Sequence, residues 1–152
     1  MRRIMVIGAV GSGKSTLILA LLNDKLPASK TQSLHFLDWL IDTPGEYTEN
    51  PLFYRSLMAT SHQASAVLLV QDATQGRCTF PPLFAGGFPV PCIGAITKLD
   101  HPGAEPDRAE SLLRQALPQG AIVRVSAIAG IGIQGLREQL KKHAKAPPPA
   151  EN

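Results

Sequence analysis

The sequence predicts an α/β protein in three layers, with a mostly parallel six-stranded sheet and one antiparallel edge strand. Three observations predict it. Four near-continuous apolar runs, Ile4 to Ile7, Ala66 to Gln71, Pro91 to Thr97 and Ile122 to Ser126, lack the alternation of a half-exposed strand, as parallel strands covered on both faces do. Each is followed by a turn signal and then a helical or irregular segment, the order expected when helices connect parallel strands. The 152 residues suit one core, with 44% hydrophobic and only 18% charged residues, against about 25% charged in an average domain. That balance excludes global disorder.

The elements follow in order. The first strand ends at Gly8, and helical patterns are expected at Lys14 to Asn23, about Pro51 to Ser61, about Asp107 to Leu117, and Ile133 to Lys142. The last is the cleanest, with Ile133, Leu136 and Leu140 on one face and Arg137, Glu138, Lys141 and Lys142 on the other. Its basic face reads as solvated surface that complements the helix dipole. Ser33 to Leu37 and Trp39 to Asp42, separated by Asp38, read as a hairpin that supplies the antiparallel edge. Gln75 to Pro91 is rich in Gly, Pro and Phe and reads as a loop with one short turn. Residues 1–145 are expected to form the domain, and residues 146–152, with three consecutive prolines, an extended mobile tail.

Several function classes drop out. No apolar run approaches the roughly 18 residues of a spanning helix. The Met1-Arg2-Arg3 start leads into an apolar stretch broken at Gly8 with no cleavage site after it, so no signal peptide is expected. Fifteen Lys and Arg against twelve Asp and Glu give a net charge of +3, scattered along most of the chain, and nucleic acid is not indicated. The four histidines and two cysteines show no metal spacing. Cys92 reads as a core thiol and Cys78 as a loop thiol and a candidate for reactivity.

The chemistry is carried first by Gly8-Ala9-Val10-Gly11-Ser12-Gly13-Lys14-Ser15, a complete phosphate-loop motif between a strand and the apolar helix Thr16 to Leu22. Gly8, Gly11, Ser12, Gly13 and Thr16 belong to a loop and helix start whose backbone N–H groups point at phosphate oxygens, aided by the helix dipole. Lys14 is expected to bridge the β- and γ-phosphates, and Ser15 to offer its hydroxyl to Mg²⁺. The motif in this context indicates a P-loop NTPase.

Two later strings fit that frame. Asp42-Thr43-Pro44-Gly45 closes the hairpin, placing Asp42 as a Mg²⁺ carboxylate and the Gly45 N–H as a γ-phosphate sensor. Thr31 lies in the connection Asn23 to Gln32, from which a threonine closing over Mg²⁺ must come. Thr97-Lys98-Leu99-Asp100 fits the guanine signature. Asp100 can accept from guanine N1–H and the 2-amino group, a pair of donors adenine lacks. Lys98 is expected to lay its stem along the base, and Thr97, standing where asparagine is commoner, to steady the loop less well. Ser126-Ala127 follows the final strand, with the Ala127 N–H toward the guanine 6-oxygen.

In this order these elements resemble the small Ras-like GTPases over nearly the whole chain. Arg3-Ile4-Met5, Lys30-Thr31-Gln32, the DTPGEY string Asp42 to Tyr47, Glu49-Asn50, Leu52 with Tyr54, and Val67 to Thr74 narrow the resemblance to the EutP/PduV family of ethanolamine and propanediol utilisation. The resemblance implies a cytoplasmic bacterial protein associated with a microcompartment, with shell or enzyme proteins as partners. It also implies GTP or GDP with Mg²⁺ as ligands. Some members are described as acetate kinases, which keeps ATP and phosphotransfer to acetate as the alternative.

Glu46 follows Gly45, where many GTPases carry a glutamine that orients the attacking water. A carboxylate there is repelled by the γ-phosphate and donates no hydrogen bond, so hydrolysis assisted by Lys14, Thr31, Gly45 and Glu46 is expected to be slow. Lys30, Arg55 and Tyr47 are the basic or polar candidates for an acceptor pocket beside the switch segments.

Overall fold

The computed structural model describes residues 2–22 and 35–144. The connection that carries Lys30 and Thr31, and the tail 146–152, lie outside the described residues. Six strands, β1 (Arg3–Gly8), β2 (His35–Leu37), β3 (Leu40–Asp42), β4 (Ala64–Asp72), β5 (Cys92–Thr97) and β6 (Ile122–Arg124), form one sheet in the order β2-β3-β1-β4-β5-β6. Five run parallel and β2 pairs antiparallel with β3, Leu37 opposite Leu40. The turn takes both Asp38 and Trp39 rather than Asp38 alone, and Asp38 adopts a left-handed φ of 56°, which a short polar side chain tolerates.

The pleat divides the core between two faces. Ile4 and Val6 of β1 join Leu68 and Val70 of β4 against α1 (Lys14–Leu21) and α5 (Ile133–Ala144), through Leu17, Ile18, Leu21, Leu136 and Leu140. Met5 and Ile7 turn the other way, with Val67, Leu69 and Ile96, against Leu57 of α3 (Tyr54–Ser61) and Ala109 and Leu113 of α4 (Pro106–Ala116). These strands read as unbroken apolar runs because successive residues alternate between two covered faces. Each fully buried Ile or Leu contributes about 2 kcal/mol, so packing rather than helix propensity sets where α1 sits.

Between β4 and β5 the chain forms no α-helix, only a 3₁₀ turn at Phe84–Gly87, as the Gly and Pro content predicts. Phe80, Phe84 and Phe88 cover the sheet there instead, with ring centroids 5.7 and 5.3 Å apart along the series. The helix expected from Pro51 is split. Gly45–Glu49 forms a short helix (α2), Pro51–Phe53 a 3₁₀ turn whose Leu52 N–H is capped by Asn50 Oδ1 at 3.0 Å, and only then does α3 begin. Strand β6 stops at Arg124, two residues early, because Ser126 turns out of the sheet to bridge Ile131.

The basic face of α5 is more than solvated surface. Arg137 reaches across to α1, its Nε donating to the Leu21 carbonyl at 2.9 Å and its Nη2 to the Ala20 carbonyl at 2.8 Å. It therefore caps a neighbouring helix whose last turn has no basic residue of its own. Lys141 Nζ lies 5.4 Å from the ring centre of Trp39, a cation–π distance.

Candidate functional site

The parallel topology places the carboxyl ends of β1, β3, β4 and β5 along one edge, with β1 between β3 and β4. The loop after β1 turns at Ala9, whose carbonyl accepts from Ser12 N at 3.1 Å. Gly11 and Gly13 take φ values of 79° and 87°, a conformation L side chains rarely adopt. Gly13 is the N-cap of α1 and no side chain caps the helix, so the first turn offers backbone N–H groups suited to an anion. Lys14 pairs with Asp42 at the end of β3, and both side chains are almost wholly buried. A buried ammonium and carboxylate beside an uncapped glycine loop are the chemistry that a phosphate and a hard divalent cation require. Ser12 Oγ is buried with no hydrogen-bond partner among the described residues.

Beyond Asp42, the Thr43 hydroxyl donates to the Val6 carbonyl at 2.7 Å and pins the turn to β1. Gly45 is buried against the phosphate loop: a Cβ there would lie 2.6 Å from Val10 N and 2.7 Å from Val10 Cγ2. Its glycine is thus demanded by close approach rather than by rotational freedom alone. Glu46 follows in α2, half-buried. Tyr47 stacks on Phe53 at 4.6 Å and Tyr54 packs on Phe84 at 5.0 Å, while Arg55 is exposed. The two tyrosines serve packing.

On the other flank, β5 delivers the base-reading string. Thr97 Oγ1 donates to the Ser12 carbonyl at 2.6 Å. This single hydroxyl ties the end of β5 to the loop, which it touches at Gly13. Lys98, with a left-handed φ of 65°, donates from Nζ to the Gly11 carbonyl at 2.7 Å and to Asp72 Oδ2 at 2.8 Å. Ser126 Oγ donates to Asp100 Oδ1 at 2.7 Å and accepts from Ala129 N at 3.0 Å, which aims the carboxylate. Gly13, Thr16, Thr97, Lys98, Asp100, His101, Ala127 and Ile128 line a cleft of about 260 Å³, just below the ~300–1,000 Å³ of ligand pockets. A second cavity of about 60 Å³ lies behind the loop, lined by polar residues that include Ser12, Gln71, Gln75, Arg77 and Thr79.

The structure thus brings Gly8, Gly11, Ser12, Gly13, Lys14, Ser15, Thr16, Asp42, Gly45, Thr97, Lys98, Asp100, Ser126 and Ala127 to one edge of the sheet. Thr31 lies outside the described residues. The match over residues 1–142 to the family model described as ethanolamine utilisation - propanediol utilisation decides the affiliation. The chain belongs to the PduV–EutP family. Its relatives agree: it is 37% identical over 136 residues to propanediol utilization protein PduV of Citrobacter freundii, covering 88% of this chain and 89% of that one. It is likewise 37% identical over 115 residues to the probable acetate kinase EutP of Salmonella typhimurium, covering 74% and 72%.

Among solved structures, this PduV–EutP member is similar to Era in complex with MgGDPNP and a 16S ribosomal RNA segment, with TM-score 0.68 and 22% identity over 99% of this chain and 59% of that one. It is also similar to elongation factor SelB of Methanococcus maripaludis in its apo form, with TM-score 0.64 and 21% identity over 99% and 36%. At that identity the likeness shows the fold alone, a P-loop GTPase fold. No described helix is long and apolar enough to cross a membrane.

Asp72 and Thr74 entered the sequence analysis only within the Val67 to Thr74 string and His101 only among the histidines, none of them as a site residue. The signal for the first two was present: Gln71-Asp72-Ala73-Thr74 ends the longest strand at the carboxyl edge, and an aspartate two residues before a threonine is an Asx-turn pattern. Both cysteine thiols are pushed above their ordinary value by burial, Cys92 to about 11, and Cys78 despite a backbone hydrogen bond from Phe80. Neither thiol is primed for reaction at neutral pH.

Proposed function

We propose that this PduV–EutP protein binds GTP and GDP with Mg²⁺, hydrolyses GTP slowly, and uses the nucleotide state to govern partner binding at a microcompartment. The observation that carries the reading is Asp100. Its carboxylate is held by Ser126 on the rim of the same cleft that Gly13 and Lys98 line, as a guanine N1–H and 2-amino reader must be. Gly11, Ser12, Gly13, Lys14 and Thr16 would hold the phosphates. Ser15 and Asp42, with Thr31 from the connection, would hold Mg²⁺, which supplies neutralisation of the phosphate oxygens.

Lys14 and Asp42 occupy each other's charge in this structure. Nucleotide binding redirects the ammonium to phosphate and frees the carboxylate for the cation, so the two ligands are expected to bind cooperatively. Glu46 offers no donor to orient a water, which favours slow turnover. A cytoplasmic setting and shell or enzyme partners follow from the family's utilisation systems.

The second reading, phosphotransfer to a small carboxylate, would use the cavity behind the loop, where Arg77 rather than Arg55 is the lining cation but Glu49 and Asp72 also line the wall and repel an anion. Arg55 stands exposed on α3. Calorimetric titration with Mg-GTP, Mg-GDP and Mg-ATP, followed by phosphate release with and without acetate, separates the two. Guanine preference with slow, acetate-independent release supports the switch; ATP preference with acetate-dependent turnover overturns it in favour of the kinase.

A further inference from the structure

Asp72 stands at the carboxyl end of β4 with 3% of its surface exposed. Its Oδ1 accepts from both Thr74 N and Thr74 Oγ1 at 2.7 Å, and its Oδ2 accepts from Lys98 Nζ at 2.8 Å. The same ammonium donates to the Gly11 carbonyl at 2.7 Å. One carboxylate, fixed by the turn that follows it, therefore sets the position of the lysine that joins the phosphate loop to the base cleft. Lys98 holds a left-handed φ of 65° to do so, a costly backbone state for a side chain of this size, and two charged hydrogen bonds at its tip offset that cost.

We infer that Asp72 is a positioning residue for nucleotide recognition: through Lys98 it clasps Gly11 and aligns the lysine stem along the base cleft, so that base and phosphates are gripped as one unit. The inference rests on the nucleotide reading above and extends it to a residue outside the phosphate-loop and base-reading strings. Burial alone would raise the Asp72 pKa, yet the Lys98 and Thr74 hydrogen bonds and the Lys98 charge outweigh it and hold the carboxyl below its ordinary value. The Asp72 carboxylate is thus ionised at neutral pH. No phosphate or base contact is asked of Asp72 itself.

The Asp72→Asn variant keeps an acceptor for Thr74 while removing the charge that holds Lys98. Release of a fluorescent GDP analogue from the full chain, measured well below the variant's own nucleotide-free thermal midpoint, should accelerate about ten-fold, the loss of one charged hydrogen bond. Lys98→Met should accelerate release similarly, and the double variant should be no worse than Lys98→Met alone, because the two act through one interaction. Thr74→Val, which only loosens the aim of the carboxylate, should shift release in the same direction by about two- to three-fold. Unchanged release in Asp72→Asn or in Thr74→Val, or additive effects in the double variant, would overturn the clasp while leaving the nucleotide reading in place. A wild-type chain that retains no guanine nucleotide would overturn both.

Discussion

At the scale of single residues, the site turns on charges that neutralise each other across long sequence separations. Lys14 and Asp42 are 28 positions apart and buried together. From the sequence, Lys14→Ala is expected to cost most of the triphosphate affinity and leave the fold intact; the structure changes the second half. Removing the ammonium takes from the buried Asp42 carboxylate its Lys14 ion pair, which costs about 3 kcal/mol. Chemical denaturation of the nucleotide-free protein should show that loss, and Lys14→Ala combined with Asp42→Asn should recover most of it without recovering nucleotide binding. Asp100→Asn makes the complementary test of the base: the amide donates to a xanthine 2-oxygen, so GTP binding should weaken and xanthosine triphosphate binding should strengthen by about ten-fold or more. Unaltered guanine affinity in a competition titration would remove Asp100 from recognition.

The legibility of the site follows from the same distances. Gly8 to Ser15 is local: its glycines, lysine and serine sit on one turn between a strand and a helix, so spacing alone identifies it. Thr97 to Asp100 is local as well, and its aim by Ser126 is hinted by the position of Ser126 after the last strand. Asp72 with Lys98 is not, because their meeting depends on β4 and β5 being neighbours in register, Asp72 opposite Thr97. No spacing rule in one sequence reports that pairing.

At the scale of elements, boundaries were hardest to read where the backbone answers to a tertiary partner. Gly45–Glu49 forms a helix with Gly45 pressed against Val10, and Pro51 then restarts the chain as a 3₁₀ turn rather than continuing a helix. The hydrophobic period alone shows neither. Gly45→Ala should therefore disturb the phosphate loop itself: its Cβ would stand 2.6 Å from Val10 N, so nucleotide affinity should fall together with stability. Arg137 makes the other element-scale prediction. Arg137→Ala removes two hydrogen bonds from the end of α1, at a cost of about 1–3 kcal/mol. The urea midpoint should drop with the slope unchanged.

At the scale of the whole molecule, the sheet is closed over on both faces and two ionisations bracket its stability. The lowered Asp72 pKa means that the stability it contributes is full above the unfolded carboxylate value of about 4 and is lost as pH falls below it. Cys92 works at the other end. Its thiol is raised from 9.0 to about 11 by burial, so the unfolded chain ionises first, and stability declines as pH rises between about 9 and about 11. Tyr54, also raised by burial, acts in the same direction, and Cys92→Ala isolates the thiol's share. Denaturation midpoints across that alkaline range should decline less steeply in the variant.

The three-layer order was readable because apolar runs, glycine turns and one hairpin follow each other in a single pattern. The replacement of a crossover helix by Phe80, Phe84 and Phe88 was readable as a loop but not as a core, since aromatic residues among glycines and prolines show no period. The central claim remains the guanine cleft. Calorimetric titration of the nucleotide-free protein with Mg-GDP and Mg-ADP tests it most directly: binding of Mg-GDP at least about a hundred-fold tighter than Mg-ADP is the result the account predicts, and equal or tighter binding of Mg-ADP would contradict it.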